Sequence, residues 1–168
     1  GVGFSKQVVL YHCGSKEKLY AAVLERISTE FEAIQTSAAD FSDDPAGQFE
    51  QAIVLIAEYS QQQAQRTRLL MRELLDNNER AEEAGHWFLK PFLHQMTAMV
   101  KAVPGWAKAS DEEALAMAYQ ALGAVNYFSV SGPTLKGIFG IRQFKKLDEV
   151  YEHRLISSVR SALAAGPA

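Results

Sequence analysis

The sequence predicts an all-α fold, on two observations. Helical spacing of apolar residues recurs in almost every segment of the 168-residue chain. No stretch rich in Val, Ile and Thr alternates with polar residues between turn markers, which is the pattern a strand would show. A hydrophobic content of 48% with 22% charged residues is ordinary for a folded domain, and no apolar run approaches the ~20 residues that span a membrane. We therefore expect one helical domain with a small appendage at its N-terminus.

The first helices are predicted from turn and cap residues. Ser5 can cap a short helix that ends near Tyr11 or Cys13, because its hydroxyl accepts a hydrogen bond from a free backbone N–H. Gly14 ends that helix, and Ser15 can cap a long helix that runs to about Ser37. An apolar stripe at helical spacing predicts burial of one face of the long helix. The stripe consists of Leu19, Val23, Ile27, Phe31 and Ile34.

Three helices are predicted in the middle of the chain. Pro45 stands where a helix would begin, since the N–H that proline lacks has no helical partner at that position. Its helix is followed by a shorter one over residues 66–76 and by another over residues 80–103. Pro91 lies inside the last of these, where it removes a backbone hydrogen bond. We therefore expect a kink or a break there.

Two helices are predicted at the C-terminal end. The first begins at Ser110 or Asp111, runs to about Val130 and is apolar on nearly every side, which indicates burial on more than one face. Residues 131–140 should form an irregular connection. The second helix, over residues 144–164, has one long apolar stripe. The two could pair with the same two helices of a second chain, which predicts a homodimer; alternatively, their apolar faces are filled within one chain.

The charges are distributed unevenly. Residues 1–24 carry Lys6, Lys16 and Lys18 against Glu17, a net charge of +2, which leaves −5 for the rest of a chain whose total is −3. A basic head on an acidic body favours an anionic partner for the head, and chance clustering of three lysines is the alternative. The only cysteine is Cys13, so an intramolecular disulfide is excluded and a reducing, cytoplasmic setting is expected.

No residue pattern predicts catalysis. The chain has no G-x-S-x-G elbow for a nucleophile and no complete dinucleotide-binding fingerprint. Glu83 and His86 form one E-x-x-H pair, but helical di-iron sites need two such pairs on separate helices and two further glutamates. We therefore expect no catalytic residue, no metal site and no cofactor.

Aromatic and methionine side chains are concentrated on the helix that contains Pro91 and on its predicted neighbours. A pocket lined by such residues, with a few polar groups among them, suits a small apolar or aromatic ligand. Ordinary core packing uses the same residue types and stays open as the alternative. The candidate ligand-binding residues are Met71, Leu75, Trp87, Phe88, Phe92, Met96, Tyr119 and Asn126.

The N-terminal segment combines a turn, a short helix, a second turn and the start of the long helix. A helix of one or two turns can place one face in the ~12 Å wide major groove of DNA. At its N-terminus stand Ser5, Lys6 and Gln7, where side chains and backbone donors would meet DNA. Residues suited to phosphate contact follow, among them Tyr11 and His12.

The stretch GFSKQVVLYHCGSKEKLYAAVLE, residues 3–25, resembles the second half of the DNA-binding domain of the TetR family of bacterial repressors. The matching motifs are the turn and recognition-helix start (GFSKQ, residues 3–7), the end of that helix (LYHC, residues 10–13) and the start of the next helix (GSKE, residues 14–17). The rest of the chain is similar to the family only in architecture, a helical ligand-binding body that ends in two dimerising helices.

The resemblance implies a cytoplasmic transcriptional regulator, a repressor that is released from operator DNA by a small molecule bound in its body. Ligand binding would shift the long helix and change the spacing of the two recognition helices in the dimer. The implied division is a remnant of the DNA-binding domain with the connecting helix over residues 1–37, and a ligand-binding and dimerisation domain over residues 38–168. The implied DNA-binding residues are Ser5, Lys6, Gln7 and Val8 at the start of the recognition helix, and Tyr11, His12 and Lys16 at phosphates or the groove wall.

Two features depart from the family pattern. Cys13 stands where the family usually has an aromatic residue, which predicts looser local packing. The sequence also begins after the two helices that open the family's DNA-binding domain, so this chain alone is expected to bind DNA poorly. A helical small-molecule carrier or an enzyme with no role at DNA is the alternative function, and a purely structural helical dimer is a third.

Overall fold

The computed structural model describes residues 16–76 and 88–167, and every regular element in these two stretches is helical. The all-α prediction is therefore confirmed. None of the helices in the two stretches is long and apolar enough to cross a membrane. The elements are α1 (Lys16–Ala39), α2 (Pro45–Gln62), α3 (Ala64–Asp76), α4 (Lys90–Ala102), a 3₁₀ turn (Pro104–Trp106), α5 (Asp111–Phe139) and α6 (Ile141–Ala165).

Local capping explains where two of the helices begin. The Asp44 carboxylate accepts a hydrogen bond from the Gly47 N–H at 3.0 Å, and Pro45 occupies the first turn of α2, as the sequence predicts. At the start of α5 the Ser110 hydroxyl accepts from the Glu113 N–H at 3.2 Å, and the Glu113 carboxylate accepts from the Ser110 N–H at 2.8 Å. These bonds satisfy backbone donors that a helix start otherwise leaves without partners.

Pro91, which lies in the predicted helix over residues 80–103, stands at the start of a helix in the structure. α4 begins at Lys90, and a turn precedes it. Pro91 therefore lies in the first turn of α4, where its missing N–H costs no helical hydrogen bond. The turn before α4 agrees with the break expected near Pro91, and the part of the predicted helix that precedes residue 88 lies outside the described residues.

The segment over residues 131–140, expected to be irregular, is helical almost to its end. Pro133 removes one backbone hydrogen bond from α5, but Gly132 packs closely against α6. A Cβ at Gly132 would lie 3.5 Å from Phe144 Cζ. We attribute the continued helix to this packing, which opposes the local penalty of the proline. The chain reverses only at Gly140, whose φ of +80° lies in the left-handed region that other residues rarely adopt.

α2 is the central helix of the fold, since each of the other five α-helices in the described stretches contacts it. Its sequence places apolar residues at helical spacing, and burial of that face removes them from water. The surrounding helices therefore form a shell around α2. Its buried residues are Phe49, Ala52, Ile53, Ile56 and Ser60.

The apolar stripe of α6 packs inside its own chain. Phe144 and Leu155 are buried, and the Tyr151 ring stacks on Phe128 of α5 with 3.8 Å between ring centroids. The Tyr151 hydroxyl donates a hydrogen bond to the Ala124 carbonyl at 2.9 Å. The stripe of α6 therefore packs mainly within its own chain, and its pairing with a second chain stays a prediction.

α5 is less enclosed than its composition predicts. Its buried residues lie on one side of the helix, which faces α2, α4 and α6. Leu115, Tyr119 and Tyr127 on the outer side are exposed, Tyr127 by 73%. The expectation that α5 is buried on more than one face is wrong within a single chain.

Candidate ligand site

A cavity of about 130 Å³ lies between α3, α4 and α5, and α1 and α2 complete its wall. Among the described residues, no charged side chain lines it, and the only side-chain polar groups in the wall are the Asn126 amide and the Tyr119 hydroxyl. The wall consists of Leu70, Met71 and Leu74 from α3; Leu89, Phe92 and Leu93 at the start of α4; Tyr119, Leu122, Gly123 and Asn126 from α5; and Phe31 and Ile56 from α1 and α2.

Helical periodicity brings these residues together. The four residues from α5 stand at positions i, i+3, i+4 and i+7, which share one face of a helix. The three from α3 stand at i, i+1 and i+4 and likewise share a face. The cavity therefore lies where amphipathic helices meet along apolar faces without filling the space between them.

Phe31 of α1 connects the cavity with two neighbouring rings. Its ring centroid lies 4.8 Å from that of Phe92, which also lines the cavity. The Tyr59 ring of α2 lies 5.2 Å from Phe31 in an edge-on arrangement at 67°. These separations are typical of favourable aromatic pairs. A molecule in the cavity would thus contact an aromatic cluster that joins α1, α2 and α4.

Tyr119 and Gly123 mark the mouth of the cavity, because both are exposed to solvent and also line the wall. Tyr119 is 55% exposed. No heavy atom outside the local helix backbone lies within 4 Å of the position that a Cβ of Gly123 would take. The missing side chain of Gly123 therefore leaves open space beside the cavity.

Asn126 gives the cavity one polar end. Its Oδ1 is buried and has no hydrogen-bond partner within the described part of the chain. About one turn further along α5, the Ser129 hydroxyl donates to the Ser60 carbonyl at 2.8 Å, while the buried Ser60 hydroxyl is also without a partner there. A buried polar group left unpaired costs about 1–3 kcal/mol. Asn126 therefore gives the cavity wall unused hydrogen-bonding capacity, while Ser60 and Ser129 are not among the described wall residues.

The structure places four of the eight candidate ligand-binding residues in the cavity wall, namely Met71, Phe92, Tyr119 and Asn126. Leu75 is 73% exposed, because it is turned by about 100° from Leu74 on the same helix. Met96 is fully buried in the core one turn beyond Phe92, and Phe88 is half-buried before α4. Trp87 lies outside the described residues.

Other wall residues are absent from the sequence-based candidates. The pattern assigns Phe31 and Ile56 only to buried helix faces, and it does not single out the leucines of α3 and α4. Among the wall residues that the sequence-based candidates omit, Gly123 is the one that the sequence could have indicated. A glycine inside a helix costs about 0.5–1 kcal/mol relative to alanine, so its presence in an apolar helix indicates a local need for space.

The predicted DNA-binding residues cannot be placed in the same way. All but one of them lie before residue 16, outside the described stretches: Ser5, Lys6, Gln7, Val8, Tyr11 and His12. Lys16 is the first residue of α1, and only its backbone is described. The assignment of these residues to DNA contacts stays a prediction.

A cluster of polar side chains beside the cavity connects α1 to α2 and α3. The Glu30 carboxylate accepts hydrogen bonds from the Tyr59 hydroxyl at 2.7 Å, from Arg26 Nε at 3.1 Å and from Arg66 Nη1. Burial raises the pKa of Glu30, but the bonds from Arg66, Tyr59 and Arg26 outweigh it and lower the pKa from 4.5 to about 2. Burial and the bond to Glu30 raise the pKa of Tyr59 to about 12. The cluster therefore stays ionised at Glu30 throughout the neutral range.

The described stretches contain no group of three or more His, Cys, Asp or Glu side chains that could hold a metal ion. The E-x-x-H pair, Glu83 and His86, lies outside them. No protein-family model matches the sequence, and no curated protein matches it significantly.

Proposed function

We propose that this chain is the ligand-binding and dimerisation part of a TetR-type transcriptional regulator, a repressor that leaves its operator when a small molecule binds in the helical body. The observation that carries the proposal is the apolar cavity, whose wall includes Phe31 of α1. α1 follows directly on residues 3–15, the stretch that resembles the DNA-reading head. A ligand would therefore touch the helix that joins the cavity to the head.

Regulation requires that the ligand bind more tightly when α1 is in one position than when it is in another. A ligand with equal affinity for both would not shift the equilibrium between the two positions. The contacts of α1 suit such a two-position arrangement. Phe31 faces the cavity, and the adjacent Glu30 binds Tyr59 of α2 and Arg66 of α3. A change in cavity width would act on the aromatic contacts of Phe31 and on this polar cluster together.

The proposed homodimer uses the outer face of α5 together with α6. Support comes from exposed apolar side chains on these helices, Tyr127 and Leu115 on α5 and Val150 on α6. Burying them against a second copy would remove their apolar surface from water. Sedimentation should give about twice the 18.6 kDa mass of one chain. A mass of one chain at micromolar concentration would overturn the dimer.

The DNA-binding role is tested on a version of the chain with a complete head, including the two helices that precede residue 3 in the family. Selection from a random DNA pool should enrich a two-fold symmetric sequence, because a symmetric dimer reads two half-sites. Substituting Lys6 or Gln7 by alanine should abolish the enrichment if these side chains meet DNA. Absence of any enriched sequence with the unsubstituted protein would overturn the regulatory function.

A helical small-molecule carrier with no role at DNA is the second candidate. The same cavity supports it, because ligand binding alone needs no connection to α1. The DNA selection separates the two candidates, since a carrier would bind probe molecules in the cavity and enrich no DNA sequence.

A further inference from the structure

The size of the cavity limits the buried part of a ligand to about one ring. Its volume is about 130 Å³, close to the ~150 Å³ engineered cavity in another protein that binds benzene. The rings of Phe31 and Phe92 in its wall offer faces and edges for aromatic contact. A single aromatic ring fits both the volume and the lining.

The described part of the wall carries no charge, which favours a neutral ligand. None of the described wall residues is an Asp, Glu, Lys, Arg or His, and the Tyr119 hydroxyl belongs to a half-exposed residue at the mouth. An ion in such a place would lose its hydration without gaining a counter-charge, which costs far more than burial of a neutral polar group.

Asn126 defines where the polar group of the ligand lies. Asn126 lines the cavity, and its Oδ1 atom is buried without a partner among the described residues, so this wall residue carries a free acceptor among described neighbours that are almost entirely apolar. A water molecule held there would need two to four polar partners, and the described wall offers only the Asn126 amide and the Tyr119 hydroxyl. A hydrogen-bond donor on a ligand would satisfy the atom directly.

We propose that the cavity binds a neutral one-ring aromatic molecule that carries a hydrogen-bond donor, such as a phenolic hydroxyl, and that Asn126 Oδ1 accepts the hydrogen bond from it. This inference rests on the proposed function only in taking the cavity as the ligand site. It does not depend on DNA binding.

The test measures the affinities of phenol, anisole and toluene for this chain by calorimetry. Phenol donates a hydrogen bond, anisole offers only an acceptor oxygen, and toluene offers neither. Each affinity is compared between the unsubstituted protein and Asn126→Leu, which keeps the approximate volume of the side chain and removes its amide. The phenol-to-toluene affinity ratio should fall about tenfold in the variant, the size expected for one hydrogen bond to a buried acceptor.

The outcomes test the role of Asn126 and the ligand class separately. An unchanged phenol-to-toluene ratio would overturn the role of Asn126, and a fall in the anisole ratio instead would show that the amide presents its NH₂ group to the ligand. Failure of all three probes to bind the unsubstituted protein would overturn the ligand class. That failure is distinguishable from failure of the proposed function, which the DNA selection tests on its own.

Because Asn126→Leu could alter the fold, its helical circular dichroism and thermal midpoint are compared with those of the unsubstituted protein. If the variant does not fold, Asn126→Ser replaces it, since the shorter side chain cannot place an acceptor at the same point. The same fall in the phenol-to-toluene ratio is expected for Asn126→Ser, and an unchanged ratio contradicts the proposal.

Discussion

The two halves of α2 differ in how completely they are packed. In the N-terminal half, Phe49 and Ile53 are fully enclosed, and Glu50 binds the Arg160 guanidinium of α6 through both oxygens, at 3.1 and 2.6 Å. In the C-terminal half, Ile56 borders the cavity and the Ser60 hydroxyl is buried with no partner in the described part of the chain. Both halves are buried, but only the C-terminal half borders the cavity. We call the N-terminal half of α2 the closed half and the C-terminal half the open half.

Near the closed half, a hydrogen bond joins two segments that are distant in the sequence. Trp106 is buried, and its Nε1 donates to the Leu163 carbonyl of α6 at 3.0 Å. The open half is also cross-connected, since the Ser129 hydroxyl of α5 donates to the Ser60 carbonyl at 2.8 Å and the Tyr59 hydroxyl donates to Glu30 of α1 at 2.7 Å. What distinguishes it is the cavity and the Ser60 hydroxyl, which is buried without a partner among the described residues.

The largest effect is expected in the closed half. Phe49→Ala should lower the free energy of unfolding by about 3–5 kcal/mol, because it deletes a fully buried ring and leaves a cavity. The matched control is Phe41→Ala, since Phe41 is a 65% exposed phenylalanine, and it should cost less than about 0.5 kcal/mol. Urea unfolding monitored by circular dichroism measures both. Equal losses for the two variants would contradict the assignment of the stable core to this half.

A smaller effect, on binding rather than stability, is expected in the open half. Gly123→Leu places a side chain where no heavy atom stands within 4 Å, so it should fill the mouth of the cavity and weaken phenol binding by at least about tenfold. Gly137→Leu, on the same helix and equally unobstructed, should leave phenol affinity unchanged. Calorimetry compares the three proteins. Equal affinities would show that phenol binds elsewhere.

The smallest effect is expected at Glu30 of α1, which contacts the C-terminal half of α2 through Tyr59. Because its folded pKa of about 2 lies below the ordinary value of 4.5, its contribution to stability is present above about pH 5 and is lost as the pH falls towards 2. Glu30→Gln should therefore cost about 1 kcal/mol at pH 7, after allowance for solvent screening, and progressively less at lower pH. Glu58→Gln on the exposed face of α2 is the control. Unfolding curves of both variants at pH 7 and pH 3 provide the measurement, and a Glu30→Gln cost that is the same at both would contradict the assignment.

Much of the fold was predictable because its signals are local. The cap at Asp44 and the capping box at Ser110 depend on residues within one helical turn, and the structure has both. Pro133 shows where local reasoning fails. The penalty of a proline is visible in the sequence, but the packing of Gly132 on Phe144 that opposes it joins two separate helices.

The candidate site was predictable only in its residue types. Aromatic and methionine residues indicate an apolar pocket, but the same residue types also fill the core. From the sequence alone, Met96 and Met71 are therefore indistinguishable. Only tertiary packing shows that Met71 lines the cavity while Met96 is enclosed in the core. The unpaired state of Asn126 Oδ1 is likewise a property of its neighbours and leaves no mark in the sequence.

The central claim, that the cavity beside α2 is a ligand site, is tested most directly by a crystal structure of the chain with 4-bromophenol. The account predicts anomalous bromine density inside the cavity, with the ring near Phe31 and Phe92 and the hydroxyl within hydrogen-bonding distance of Asn126 Oδ1. Bromine density confined to the outer surface, with the cavity unchanged at saturating bromophenol, would contradict it.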